Sequence, residues 1–168
     1  MSTKLIKLID ASALREALDA HGRYVRREQG GRRANLAYHD LSNCALEGVD
    51  LSEADLTGAL LCGAAARKAH LDRAILYGAD LRDADLREAS LNRADLRGAC
   101  LRGANLARAQ MLNCDLREGQ TAIQNRTDGF RLIQHEKRAG DLESAVLTGA
   151  DLSGAQLGGL GGIAADFR

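Results

Sequence analysis

Four cysteines, Cys44, Cys62, Cys100 and Cys114, and four histidines, His21, His39, His70 and His135, are the side chains of this 168-residue chain best suited to nucleophilic, metal or proton-transfer chemistry. Their spacing supports none of it. No two cysteines form a CxxC pair, and no set of Cys and His follows a zinc-site pattern. His70 stands alone, and His135 has Glu136 beside it but no third group to complete an acid–base or metal arrangement. The glycines of "GAQLGGLGGIA" follow no strand-to-helix context, so a phosphate loop is not expected. No catalytic residue, metal ligand or cofactor is predicted. The charges balance at 23 basic and 23 acidic residues, which argues against a strongly basic nucleic-acid binder and a strongly acidic mimic of nucleic acid.

The elements that must carry these side chains are set by an unusual period. From Leu36 to Leu116 an apolar residue recurs every five positions; of seventeen such centres fifteen are Leu, the others Ala66 and Met111. Two residues before each centre stands Ala in thirteen of the seventeen units, with His39, Cys44, Val49 and Cys114 in the rest. The residue between is Asp or Asn nine times, and Gly is common after the centre. A five-residue step on a helix spirals the Leu around every face, and on a strand it alternates faces, so neither element gathers these side chains into one core. A coil does, if each pentapeptide makes one short side and then turns. The core is then mainly Leu and Ala, as the scarcity of aromatics (3%) and the absence of Pro and Trp also suggest. The Asp or Asn before each centre and the Gly after it suit tight turning, and stacked coils would pair as in a parallel sheet about 4.8 Å apart.

This repeat, A-(D/N)-L-x-x over residues 34–118 and again from 140, resembles the pentapeptide-repeat family. The resemblance implies an all-β solenoid, a right-handed quadrilateral parallel β-helix with four pentapeptides per coil. Leu36, Leu56, Leu76, Leu96 and Leu116 would then form one column and Leu41, Leu61, Leu81 and Leu101 the next, while the third column lacks its large residue at Ala66. His39, Cys44 and Cys114 fall on inward positions and read as buried spacers. Cys62 and Cys100 fall outward, about two coils or roughly 10 Å apart, too far for a disulfide.

The ends depart from the period. Residues 1–33 hold a helical stripe of Leu14, Ala17, Leu18, His21, Tyr24 and Val25, startable at Asp10 or Ser12, that is expected to cap the first coil. The repeat fills 34–118. Residues 119–139 interrupt it, and because Leu116 and Leu142 are twenty-six residues apart the register is expected to slip there. A loop is expected, or a short helix from Phe130 to Arg138 closed by Gly140. Residues 140–168 resume the coil and leave its end open, for a further domain or an end-to-end homodimer to cover.

Outward arginines should form ladders, Arg82 with Arg102, Arg97 with Arg117, Arg67 with Arg87 and Arg73 with Arg93, beside Asp80, Asp85, Asp95 and Asp115. The expected role is that of a non-enzymatic, cytoplasmic, bacterial interaction or structural module with a protein partner and neither nucleic-acid nor membrane binding. Candidate contacts are Arg82, Arg87, Arg97 and Arg102 on the coil and Phe130, His135, Glu136 and Lys137 in the interruption. The alternative that the resemblance implies is protection of DNA gyrase by mimicry of duplex DNA, linked to quinolone resistance. The arginine ladders and the centres filled by Leu rather than Phe speak against it.

Overall fold

The structure, a computed structural model, describes residues 4–127, 130–138, 142–158 and 166, with the backbone alone described for 4–5, 120–127 and 130–138. The repeat winds into coils of twenty residues with four sides. Parallel bridges link each residue before a centre to the one a coil later: Asn35, Asp55, Ile75, Asp95 and Asp115 on the first side, Asp40, Leu60, Asp80 and Cys100 on the second. Ala45, Ala65, Asp85 and Asn105 follow on the third, and Asp50, His70, Ser90 and Gln110 on the fourth. The Leu centres and their Ala neighbours are the core, almost all of them 0–4% exposed from Ala34 to Leu147, Ala66 and Met111 included.

A coil whose sides pair through one residue each must still satisfy every backbone donor. In the unit around Leu41, the centre's N–H donates to Leu60 in the next coil and the Asn43 N–H to Cys62. The Cys44 N–H closes the turn on the Leu41 carbonyl. The residue two past each centre carries the turn's left-handed backbone, as in Asn43 (φ 58°), Glu53 (65°) and Gly63 (64°). Many of these are not Gly, so the fold accepts a conformation costing about 1–2 kcal/mol per residue, offset by the ladder and core. One donor is left, the N–H just after the centre. The Asp or Asn just before the centre accepts it: Asp40 from Ser42, Asp55 from Thr57, Asp80 from Arg82, Asn105 from Ala107. The acidic residue expected to shape the turn by its conformational tolerance instead sits on the bridge and caps the turn with its side chain.

Residues 119–139 correct the sequence expectation twice. Their described residues form strands, since Gly119–Thr127 (β4) and Phe130–Arg138 (β5) pair antiparallel, Gly119 with Arg138 through Thr127 with Phe130. Only Asp128 and Gly129 separate the strands, and Asp-Gly is the dipeptide that two-residue hairpin loops favour. Nor does the ladder slip. Asn105 bridges Val146 forty-one residues on, one twenty-residue coil plus the twenty-one residues of 119–139, so the hairpin leaves and the coil resumes where it stopped.

Hairpin, N-terminus and first coil are linked. Lys4–Leu5 (β1) pairs antiparallel with Ile133 and Leu132 of β5, and Lys7–Leu8 (β2) pairs parallel with His39–Asp40 (β3). At its base, Gly119 passes so close to the chain at Arg97 and Gly98 that a Cβ would lie 2.6–2.7 Å from their backbone. The hairpin is thus anchored at the fourth coil and tied through the N-terminal strands to the first. Between these points the outward residues Leu60 and Asp80 of the second side are buried, at 0% and 2% exposure.

The helix Ala11–Val25 (α1) starts at Asp10, whose carboxylate accepts from Ser12 and Ala13 N–H. Ile9, Leu14, Ala17 and Leu18 pack on the core. Gly31 comes within 2.4–2.6 Å, measured from a Cβ, of the Arg23 and Tyr24 backbone, an approach that no other residue permits. The Arg32 N–H then reaches the Ala20 carbonyl at 2.9 Å, and the Ala34 N–H donates to Nδ1 of buried His21 at 3.0 Å. The ring lies 5.7 Å from that of Tyr24, nearly parallel, and its buried Nε2 has no hydrogen bond of normal geometry. Burial lowers the His21 pKa, with Arg33 acting the same way; Asp50, the Ser52 backbone and Glu53 oppose it.

A His whose pKa falls on folding stabilises the fold while neutral, and that contribution fades as pH drops below its ordinary value near 6.5. Protonation also removes the acceptor that Ala34 uses. Between pH 7 and pH 5 the Ala34 amide should therefore lose hydrogen-exchange protection before the amides of the central coils. His21→Asn, which keeps an acceptor that does not titrate, should flatten this dependence.

Candidate interaction faces

The tripeptide Asp-Leu-Arg recurs at 80–82, 85–87, 95–97 and 115–117, and its geometry is the same each time. The Leu points inward and leaves Asp and Arg on one outer face two residues apart, the spacing at which guanidinium and carboxylate align. Arg82 Nε donates to Asp80 Oδ1 at 2.8 Å and its Nη2 to Oδ2 at 2.6 Å. Arg87 grips Asp85 at 2.7 and 2.6 Å, Arg97 grips Asp95 at 2.8 and 2.6 Å, and Arg117 grips Asp115 at 2.9 and 2.7 Å. Each carboxylate also accepts the Arg backbone N–H, so one Asp closes a turn and locks a side chain. The Arg87 hydrogen bond holds the Asp85 carboxyl below its usual range, Arg117 does the same for Asp115, and all four guanidinium pKa values rise in return.

Further pairs cross between coils. Glu88 accepts from Arg67 at 2.8 Å and Arg108 at 3.2 Å, with Lys68 at 4.0 Å, and the Arg67 bond is the main cause of its lowered pKa. Arg102 reaches Glu143 at 3.1 Å, Arg97 approaches Asp115 at 3.7 Å, and the Arg97 guanidinium lies 5.3 Å from the Tyr77 ring centre. On the fourth face Asp72 accepts from the Asn92 N–H at 2.8 Å and from the Ser90 hydroxyl.

The structure divides the candidate contacts into two groups. Arg82, Arg87, Arg97 and Arg102 lie on the outer faces of the coil, each held by a carboxylate. Phe130, His135, Glu136 and Lys137 lie on β5, opposite Thr127, Ala122, Thr121 and Gln120 of β4. The ladders were expected beside Asp80, Asp85, Asp95 and Asp115, and the structure brings these carboxylates onto arginines of their own units, an intra-unit pairing that the recurring Asp-Leu-Arg tripeptide carries. The resumed coil is described to residue 158 and again at Asp166, and the residues on which the end-to-end dimer rests lie largely outside the described ones.

Three of the four thiols, those of Cys44, Cys62 and Cys114, have their pKa raised. Burial, with the Asp80 charge behind it, pushes Cys62 up to about 12; burial, with the Asp115 charge behind it, lifts Cys114 to about 11, and burial alone raises Cys44. Cys114 is a buried spacer as expected. His39 and Cys44 depart from that reading: both are only half-buried, because the first coil has no coil before it. Among the described residues no cluster of His, Cys, Asp or Glu is placed to hold a metal ion, and no helix is long and apolar enough to cross a membrane.

Residues 32–119 and 140–159, more than half of the chain, match the family model described as pentapeptide repeats, in eight copies. Among solved structures, a pentapeptide repeat protein of Nostoc PCC 7120, alr5209, is 34% identical over 67% of this chain and 84% of its own, with a TM-score of 0.35. Rfr23 from the cyanobacterium Cyanothece 51142 is 26% identical over 82% of this chain, with a TM-score of 0.45; the chain spans 66% of that protein's length. A trypsin-treated form of QnrB1, a plasmid-mediated fluoroquinolone resistance protein, is 15% identical over 84% of this chain and 69% of its own, with a TM-score of 0.44. No curated protein matches the sequence.

Asp80 tests whether the forks hold the fold. It is the most buried of the four carboxylates, and Asp80→Ala would leave both the Arg82 N–H and its guanidinium without their acceptor. A loss of about 1–3 kcal/mol is expected in urea unfolding. Asp80→Asn, which can still cap the turn, should lose less, and the exposed cap Asp151→Ala least of the three.

Proposed function

We propose that this chain, which belongs to the pentapeptide-repeat family, acts as a non-enzymatic scaffold that presents preordered charged faces to a protein partner. The hand of the coil is then the family's, right-handed. The observation that carries the reading is the set of Asp-Leu-Arg forks. Four arginines are fixed in one rotamer by bidentate contact, yet their side chains keep 41–53% of their surface exposed. A free surface Arg gives up rotamer freedom on binding, whereas a forked one has already lost it and keeps outward donors for a partner's carboxylates or carbonyls. The spacing of the coils, roughly 4.8 Å, sets the pattern a partner must match. Within the family, the gyrase-protecting mode of action needs a continuous acidic face, and here Asp80, Asp85, Asp95 and Asp115 are each neutralised by an Arg of their own unit.

The triple variant Arg87→Gln, Arg97→Gln and Arg117→Gln should keep the circular dichroism of the coil and lose about tenfold or more in retention of whatever protein the wild-type chain captures from its host. Equal retention would refute the role of these faces. In a DNA gyrase supercoiling assay poisoned by a fluoroquinolone, a molar excess of the protein should leave the inhibition unchanged, and relief of the poison would restore the DNA-mimic reading.

A further inference from the structure

Within the solenoid, each residue before a centre is bonded to the preceding coil: the Ala65 N–H donates to Cys44, and the Ala65 carbonyl accepts from Leu46. The first coil has no predecessor, and its sides are finished differently. Its first side meets α1 and the turn behind it, through His21 and Ala20. Its second side takes β2 as an added parallel strand, the Lys7 N–H donating to the Tyr38 carbonyl at 2.8 Å. Its third side is unfinished. The Ala45 N–H, the Ala45 carbonyl and the Glu47 carbonyl have no hydrogen bond among the described residues, and Ala45 is exposed. Cys44 is half-buried, whereas its counterparts Ala64, Ala84 and Ala104 are at most 1% exposed.

This edge forms one wall of a groove of about 940 Å³, within the range of natural ligand sites at roughly 300–1,000 Å³. Cys44, Ala45 and Val49 face Ile9, Leu14 and Leu18 across it. Arg15, Arg23 and Arg26 of the helix side line it together with Asp19 and Asp50. Arg26 is held by Glu28 at 2.7 Å, and Asp50 accepts the Ser52 N–H, while Arg15 and Arg23 have no ion-pair partner among the described residues.

The geometry points to a docking site for a short extended segment of a partner protein that adds to the Ala45 edge as a parallel strand, as β2 does one side away. Its N–H groups bond the Ala45 and Glu47 carbonyls and its carbonyl takes the Ala45 N–H. Alternate apolar side chains lie on Leu14, Leu18 and Cys44, and a carboxylate pairs with Arg15 or Arg23. Main-chain bonds supply a sequence-tolerant part of the affinity, and the groove and the two arginines supply the preference. This deepens the scaffold reading by naming a second surface, distinct from the forked faces.

The probe is a capped heptapeptide alternating Val with Glu and Asp, added to the ¹⁵N-labelled full chain. It should slow exchange of the Ala45 amide about tenfold and leave Asp85 and Cys100, already bonded in the ladder, unchanged. The double variant Arg15→Ser and Arg23→Ser, both on the surface of α1, should weaken binding about tenfold while the spectrum of the coils stays intact. N-methylating the peptide's ladder-facing amides should abolish binding. The proposal is overturned if the N-methylated peptide binds equally, if the shifts map to Arg87 and Arg97, or if no binding occurs at millimolar peptide. It is also overturned if Ala45 becomes protected with rising protein concentration alone, since a second copy would then be the occupant. Peptide binding that survives the triple Arg→Gln variant of the forked faces separates this site from the wider scaffold function.

Discussion

One donor per pentapeptide, the N–H just after each inward Leu, decides how the rest of this molecule can be built. Every other backbone donor in a unit is met by the next coil, the previous coil or the turn itself. Only a side chain from the same unit or a neighbouring coil can meet this one, and the acceptor that fits stands two residues earlier. That requirement explains why Asp and Asn occupy the bridge position while Leu and Ala share the interior. Where the bridge residue is Ser90 or Gln110, the neighbouring coil substitutes: Asp72 serves Asn92, and Asn92 in turn serves Leu112. Carboxylates kept on the outside of the coil by this demand then dictate the surface, since an Arg after the Leu finds an acceptor within reach.

The core and the period were fully legible in the sequence because both rest on one rule, that a large and a small apolar side chain must point inward every five residues. Ala66 and Met111 show how tolerant the rule is, as both are buried like the Leu residues around them. The acidic residues were legible in position but misread in cause. Their preference for turns comes from the side chain accepting a hydrogen bond, and the left-handed residue that makes the turn is three positions further on, where Glu53, Lys68 and Arg93 serve as well as Gly. The interruption was read as a loop or a short helix, while the decisive signal was the Asp-Gly pair between two runs of nine residues. The edge of the first coil was not legible at all. It depends on how far α1 and β2 reach over the coil, and no local pattern records that.

Charge neutrality also reads differently once the partners are known. Equal numbers of acidic and basic residues spoke only against a strongly basic or strongly acidic surface, and exposed ion pairs taken singly contribute about 0–1 kcal/mol. Bidentate geometry and shared carboxylates change this, because Asp115 and Glu88 each serve more than one cation and their neighbours cannot relax independently. The faces are therefore patterned surfaces whose polarity alternates at the repeat of the coil.

The pairing of Lys4 with Ile133 has a consequence for how the chain acquires its structure. A repeat array held only by contacts between neighbours can fray from either end and can fold progressively as it leaves the ribosome. Here the first strand waits for a partner that lies 129 residues later in the chain. The N-terminal end is thus completed only after the fifth coil has begun, which joins the two ends of the array into one cooperative unit and slows its last step through the long loop to be closed. A truncation before residue 130 would then remove a clasp from the opposite end of the molecule, and an otherwise linear stack would regain its freedom to unwind coil by coil.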